Sequence, residues 1–155
     1  MNASWQFHIA VAIGASLVSV AGAQEKKIER SDLPAGVKRT VVEQSQGATI
    51  LGFSEEKENG ETRYEAQLMV NGHSKDVLMD GNGAIVEVEE QVALESLPAT
   101  VRSGLQAEAG QATITRVESI TKHDKVVAYE AQVSAAGKKA EVQVGPDGKR
   151  LDHEE

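Results

Sequence analysis

Four histidines, no cysteine and 24 acidic residues define the chemistry this chain can attempt. His8, His73, His123 and His153 fall in an apolar leader, beside a turn, inside a turn and at the tail, and no two stand at a metal-ligand spacing. The lack of cysteine removes thiolate zinc sites, disulfides and thiol nucleophiles. No G-x-S-x-G segment marks a serine nucleophile. No catalytic set can be assembled from what is left, so the expectation is a protein that is not an enzyme and that needs neither cofactor nor metal. Asp80-Gly81-Asn82-Gly83, with Glu87 beyond it, gathers oxygen ligands. It lacks the full series of a calcium loop and its flanks read as strands, so it is expected to be a plain turn. The runs Glu55-Glu56, Glu87 to Glu90 and Glu154-Glu155 read as solvated edges and tails, where charge discourages edge-to-edge pairing.

The polar residues left for contact with another molecule must be held by regular elements. Tyr64, Ala66, Leu68 and Val70 alternate with Arg63, Glu65, Gln67 and Met69, which gives a strand one apolar and one polar side. Tyr129, Ala131 and Val133 repeat the apolar set, and Val77, Met79, Val142 and Val144 continue it. Both tyrosines are therefore expected in the core, in phase with aliphatic neighbours. The opposite side, lined by Glu65, Gln67, Asp76, Glu130, Gln132, Glu141 and Gln143, is expected to face solvent or a partner. Within it Glu65, Gln67, Glu130, Gln132, Glu141 and Gln143 are the candidate partner-binding residues.

These positions recur because the chain carries an internal repeat. Leu33-Pro34-Ala35 returns as Leu97-Pro98-Ala99 and Ala48-Thr49-Ile50 as Ala112-Thr113-Ile114, each 64 residues on. Tyr64-Glu65-Ala66-Gln67 returns as Tyr129-Glu130-Ala131-Gln132, and Gly72, Val77 and Gly83 as Gly137, Val142 and Gly148, each 65 on. Each copy opens with a helix signal. Asp32 and Ser96 are good N-caps with a proline following, Leu33, Val37 and Val41 match Leu97, Val101, Leu105 and Ala109 as one apolar stripe, and Gly47 and Gly110 are the expected ends.

Four strands should follow each helix. In the first copy they span 48–57, 61–70, 75–79 and 84–89, with Asn59-Gly60, Asn71-Gly72 and Asp80 to Gly83 as turns. In the second they span 112–122, 126–134, 138–144 and 149–152. The expected fold class is α+β: two tandem repeats of one helix followed by a four-stranded antiparallel sheet, helices packed on one sheet face. The expected division is 28–91 and 92–153. No Gly/Ser/Pro-rich linker separates the copies, so they should share a sheet or pack face to face, since units of roughly 60 residues are marginal alone.

Composition sets the surroundings. A net charge of −8 with no basic patch argues against a nucleic-acid partner. Ile9 to Val20 is an uncharged run of 12 residues followed by Ala21-Gly22-Ala23, which matches a signal peptide over 1–23 cleaved after Ala23, although no Lys or Arg precedes the run. A spanning helix needs roughly 20 apolar residues. A periplasmic or secreted protein, with no membrane association after cleavage, is expected.

Leu-Pro opening a short helix, Tyr-Glu-Ala at 64–66 and 129–131, a glycine turn, and the D-x-x-G and D-G turns at Asp80 to Gly83 and Asp147-Gly148 resemble the PepSY-like domains, in particular the tandem periplasmic group related to β-lactamase inhibitor proteins (BLIP-like). The resemblance covers about residues 28 to 152. It implies export, no catalytic residues, and protein binding through an exposed sheet surface, as an inhibitor or partner of an envelope or secreted protein such as a peptidase. The chain departs from the inhibitors of that group in lacking cysteines and most aromatics. The expected partner is thus another exported protein. The alternative is an envelope sensor of a small ligand or metal ion.

Overall fold

A computed structural model describes residues 25–58, 60–151 and 155. The expected signal segment 1–23, Asn59 of the first hairpin turn, and His153 lie outside them. The described residues form one eight-stranded antiparallel sheet in which strand order follows chain order. Strand β1 (Lys26–Ile28) pairs with β2 (Thr49–Glu58), and β3 (Glu61–Val70), β4 (His73–Asp80) and β5 (Ile85–Gln91) follow as a meander. The meander then continues without a break into β6 (Thr113–Lys122), β7 (Lys125–Ala135) and β8 (Lys138–Val144). Helix α1 (Ala35–Gln44) sits between β1 and β2 in the chain, and α2 (Ala99–Ala109) between β5 and β6.

This architecture corrects the expected plan of two tandem units, each a helix with its own four-stranded sheet. Among the described residues the molecule is mostly β, with one continuous sheet and two short α-helices. An extra strand, β1, precedes the first helix. At the far end, the described residues 149–151 of the expected last strand form no ladder: Arg150 makes a single bridge to Val144, beside a turn in which Gly148 N–H donates to the Gly145 carbonyl and Gly145 N–H to the Lys149 carbonyl. The two halves are fused where Val88, Glu89, Glu90 and Gln91 pair with Thr121, Ile120, Ser119 and Glu118. Glu87 to Glu90 is therefore not an edge run, since β5 is hydrogen-bonded on both sides.

Both helices start later than their cap signals suggest. Asp32 closes a 3-10 turn over Arg30–Asp32, reaching back to the Glu29 amide at 3.1 Å, and Ser96 closes another over Leu94–Ser96. The N-cap places fall to Pro34 and Pro98, whose missing N–H costs nothing there. Gly110 ends α2 with φ 57°, while α1 stops at Ser45, two residues before Gly47.

The apolar stripes behave as the spacing requires. Leu33, Val37 and Val41 pack on Ala66, Leu68, Val77 and Met79, with Tyr64 and Phe53 against the same cluster. Leu97, Val101, Leu105 and Ala109 pack on Val117, Ala131, Val133 and Val144, with Tyr129 alongside. Both clusters lie on the same side of the sheet, because Ala66, Val77, Val88, Thr121 and Val126 follow one another across the register, and Val117 faces Ala131 and Val142.

Each helix touches the sheet through backbone as well as side chains. A Cβ at Gly36 in α1 would stand 1.9 Å from the carbonyl oxygen of Asn82, in the turn between β4 and β5. A Cβ at Gly104 in α2 would stand 2.0 Å from the carbonyl oxygen of Gly148. Thr40 Oγ1 donates to the Gly83 carbonyl at 2.6 Å, tying α1 to the same turn. Asp80 holds that turn by accepting from the Asn82 and Ala84 amides at 2.8 and 2.9 Å, and Asp147 accepts from the Lys149 amide at 3.0 Å in the later one. The Asp80 carboxylate thus closes the turn through backbone amides.

Alanine normally replaces a helical glycine with a gain of up to about 1 kcal/mol. Here the added methyl meets carbonyl oxygen, so Gly36→Ala and Gly104→Ala should each cost about 3 kcal/mol or more. Urea unfolding checks this, with Gly47→Ala, whose new Cβ meets nothing within 4 Å, as a milder reference.

Candidate functional site

The side of the sheet away from the helices carries the ionisable residues. Across the register, Glu65 stands opposite Leu78 and Gln67 opposite Asp76, Asp76 opposite Glu89, Glu89 opposite Ile120, Gln91 opposite Glu118, and Glu118 opposite Glu130. Asp76, Glu89 and Glu118, on the three central strands β4, β5 and β6, each bring one carboxylate oxygen within 4.8 Å of the others, and all three are half-buried. Like charges placed opposite each other on a sheet repel, and this spot collects three of them.

The surroundings answer only part of that repulsion. Arg116 Nη2 bonds to Glu118 and, at 2.6 Å, to Ser74 Oγ, while its buried Nε has no hydrogen-bond partner. Lys122 reaches Glu87 and Glu155, both at 3.4 Å. The remaining repulsion shows in protonation. Burial first, then Glu65 and Glu118, push the Asp76 carboxyl up to about 6 against the opposing pull of Arg116. Burial, followed by a hydrogen bond and charge from Glu87 and the charges of Glu118 and Glu130, pushes Glu89 up to about 8. Near neutral pH this cluster keeps a proton.

The face is also recessed. Ser54, Ile120 and Ala128 point to the helix-free side, yet they are only 3%, 1% and 0% exposed, with no helix above them among the described residues.

The six residues expected to meet a partner all lie on this face, but in two groups. Glu65 and Gln67 sit on β3, where Glu65 accepts from Ser54 Oγ at 2.7 Å and from Gln67 Nε2 at 3.3 Å. Glu130 and Gln132 sit on β7, and Glu141 and Gln143 on β8, with Gln143 Nε2 donating to Glu130 at 2.8 Å and Gln143 Oε1 accepting from the Glu155 amide at 3.0 Å. Strands β3 and β7 are four places apart, roughly 19 Å. The structure therefore does not join the Glu-Gln pairs to each other; it places them on either side of the carboxylate cluster. Sequence reasoning put Asp76 on the polar side but missed Glu89 and Glu118 as its neighbours. Counting outward from the turn at residues 80–83 sets Asp76 opposite Glu87, and the register shift between Leu78 and Met79 moves its partner to Glu89, so this opposition was not available as a signal. Nor was Glu118, because its place depends on β5 pairing with β6.

Of the histidines, His73 opens β4 and His123 sits in the turn after β6 at φ 51°; neither joins the cluster. A recess of about 290 Å³ lies at the far end of α2, lined by Leu94, Gln106, Ala109, Gly110, Ala112 and Ile114. It contains no ionisable side chain.

No protein-family model matches the chain, and comparison with curated proteins finds no match. Solved structures do resemble it. A DUF2874 family protein from Bacteroides ovatus aligns with TM-score 0.60 at 20% identity, over 77% of this chain and 85% of that one. A candidate periplasmic protein from Bacteroides eggerthii gives 0.62 at 19%, over 77% and 86%. A BLIP-like protein from Bacteroides fragilis gives 0.56 at 17%, over 77% and 83%. At these identities the likeness establishes the fold. The BLIP-like part of the expected resemblance is supported at that level, whereas no family model carries the PepSY part.

The shifted carboxyls dictate a pH response. Unfolded, Asp76 and Glu89 have ordinary values of 3.8 and 4.5; folded, they hold protons up to about 6 and about 8. Between these limits the folded state binds more protons, so stability falls as pH rises from about 4.5 to 8. Asp80 and Asp147, lowered chiefly by the Ala84 and Lys149 amides respectively, act oppositely and only in acid, where stability is lost as pH falls through their values. Glu89→Gln should raise the melting temperature by a few degrees at pH 8.5 and change it little at pH 4.5. Melting curves followed by circular dichroism check this, and parallel pH profiles for the two proteins would contradict it.

Proposed function

We propose that this protein is an exported, non-enzymatic binding module that holds another exported protein on the helix-free face of its sheet. Glu65, Gln67, Glu130, Gln132, Glu141 and Gln143 frame the contact. The observation that carries this reading is the recessed carboxylate cluster at the centre of a face that neither helix covers. A protein that needed only solubility would leave such charges in water, where they repel weakly. Held half-buried and close together, they destabilise the free protein and are relieved when something cationic arrives.

Export is supported by the apolar run 9–20 with its small-residue end, and by the fold shared with a candidate periplasmic protein. No helix among the described residues is long and apolar enough to cross a membrane. The fold shared with a BLIP-like protein supports a role in protein binding, and inhibition of a peptidase or another envelope protein is the form we propose for it. The PepSY-like kinship is proposed with it, on the short motifs alone. A boundary near residue 92 is kept as a proposal about ancestry, supported by the helix-to-turn glycine contact in each half.

One observation favours a second reading, a sensor of a metal ion. The oxygens of Asp76, Glu89 and Glu118 converge closely enough to share a cation.

Immobilised protein should retain a partner from an envelope extract, and the combined variant Glu65→Ala, Gln67→Ala, Glu130→Ala, Gln132→Ala should lose it. Undiminished capture by that variant would remove the contact from this face. Calorimetric titration with calcium and zinc separates the readings, since a one-to-one isotherm at micromolar affinity belongs to the sensor.

A further inference from the structure

We propose that β8 is a self-association edge, along which two copies of this chain join their sheets antiparallel about a twofold axis at Ala140. This goes beyond the binding-module reading and does not depend on it.

The two ends of the sheet differ. At one end β1 has three residues; at the other β8 has seven, of which Lys138, Lys139, Ala140 and Glu141 are exposed. An edge strand of that length offers a row of N–H and C=O groups to another extended chain. Which residues offer them follows from the hairpin before β8. Ala136 and Gly137, at φ 51° and 78°, make a two-residue turn between Ala135 and Lys138. Residues flanking such a turn exchange backbone hydrogen bonds, and the pattern alternates from there. Lys138, Ala140 and Val142 therefore aim their backbone groups at β7, while Lys139, Glu141 and Gln143 aim theirs outward. Two observations agree. The carbonyl of Gln132, opposite Glu141, accepts from Thr115 Oγ1 on the β6 side at 3.1 Å, and the N–H of Gly145, next in the outward series, donates to the Lys149 carbonyl at 2.8 Å. Arg150 bridges Val144, so the outer side is taken there and the free stretch runs over 138–142.

Charge then selects the partner and the register. In an antiparallel pair, outward groups must meet outward groups, so two copies of β8 can pair only with a residue on the twofold axis. Centring on Lys138, Lys139 or Glu141 sets a charge against its own copy, which repels. Centring on Val142 runs into the stretch held by Arg150. Centring on Ala140 places Lys139 of each copy opposite Glu141 of the other, both on the helix-free side, and sets one small side chain against its like on the axis. Neither Lys139 nor Glu141 forms an ion pair among the described residues, so both charges are available. Lysines on an edge ordinarily keep strands apart. Here Glu141, two residues on, makes the same edge match itself in one register.

A twofold contact closes at two copies, whereas β8 against β1 of another copy would repeat head to tail without closing. So short a contact buries less than the roughly 800 Å² per partner of a standard interface, and the dimer is accordingly weak, with a Kd of about 0.1 mM.

Sedimentation equilibrium of the full chain from about 10 µM to about 1 mM should follow a monomer–dimer equilibrium. Glu141→Lys and Lys139→Glu should each weaken it about tenfold or more, and the two together should restore it, because the facing charges are then exchanged and not lost. Cross-linking reads the register. The chain has no cysteine, and Ala140→Cys sets two thiols on facing residues with Cα atoms about 4.5 Å apart, within disulfide reach. Mild oxidation should link Ala140→Cys into dimers and leave Lys138→Cys unlinked, since residue 138 would stand about 14 Å from its copy. All four positions are exposed, and melting temperatures within a few degrees of wild type verify the fold. A chain that stays monomeric at the highest concentration, a dimer that survives both single charge reversals, or equal linking at 138 and 140 overturns the proposal. Growth past the dimer overturns it in favour of head-to-tail pairing with β1. The variant Glu65→Ala, Gln67→Ala, Glu130→Ala, Gln132→Ala leaves β8 unaltered and should dimerise as wild type does, so loss of the envelope partner and loss of the dimer are separate results.

Discussion

The closest approach in this fold is between backbones, where each helix rests on a turn at a distance only glycine allows. Gly36 lies on Asn82 and Gly104 on Gly148, with no space for a methyl group at either. That proximity fixes the height of the helices above the sheet. Beneath the helices the fully buried sheet positions are aliphatic, Ala66, Leu68, Val77, Met79, Ala131 and Val144, with Phe53, Tyr64 and Tyr129 packed alongside and only partly buried. The close approach also anchors each helix at one end, so a helix of ten or eleven residues, about 15 Å long, cannot slide across the sheet. Two such helices protect one side of eight strands. The other side must find its own way of excluding water or leave its residues wet.

Much of the fold could be read from the residues, and what could not has a physical reason. The alternation from Arg63 to Val70 gave both the extent and the facing of β3, because one side is apolar without exception at Tyr64, Ala66, Leu68 and Val70. The helix stripes at Leu33, Val37 and Val41 and at Leu97, Val101 and Leu105 placed the core correctly. A shared sheet was one of the two arrangements that the tight junction allowed, but which one holds, and in what register, was not legible. Pairing of Val88 to Gln91 with Glu118 to Thr121 depends on matching edges, and the residues involved carry no turn signal to set their register. The expected last strand was read from a turn signal at Pro146 to Gly148, but over its described residues only Arg150 makes a bridge, to Val144.

The candidate site shows the same divide. Its rim was legible, as every one of Glu65, Gln67, Glu130, Gln132, Glu141 and Gln143 lies on the side that alternation assigned to it. Its centre was not, because Glu89 reads locally as one of several acids in an exposed run, and only pairing with β4 and β6 makes it a buried carboxyl beside two others. Local sequence reports which side of a strand a residue occupies. It does not report how much charge the neighbouring strands will bring to the same place.

Strand order that matches chain order has a consequence for how the molecule is made. Every strand finds its partner in the segment just before or just after it, so no segment must wait for a distant one. The longest delays are the helical excursions between β1 and β2 and between β5 and β6. Topologies with such short-range pairing close small loops and fold quickly. A polypeptide fed out linearly, from a ribosome or through a pore, could therefore zip up hairpin by hairpin as it emerges, leaving little sticky surface waiting in the meantime.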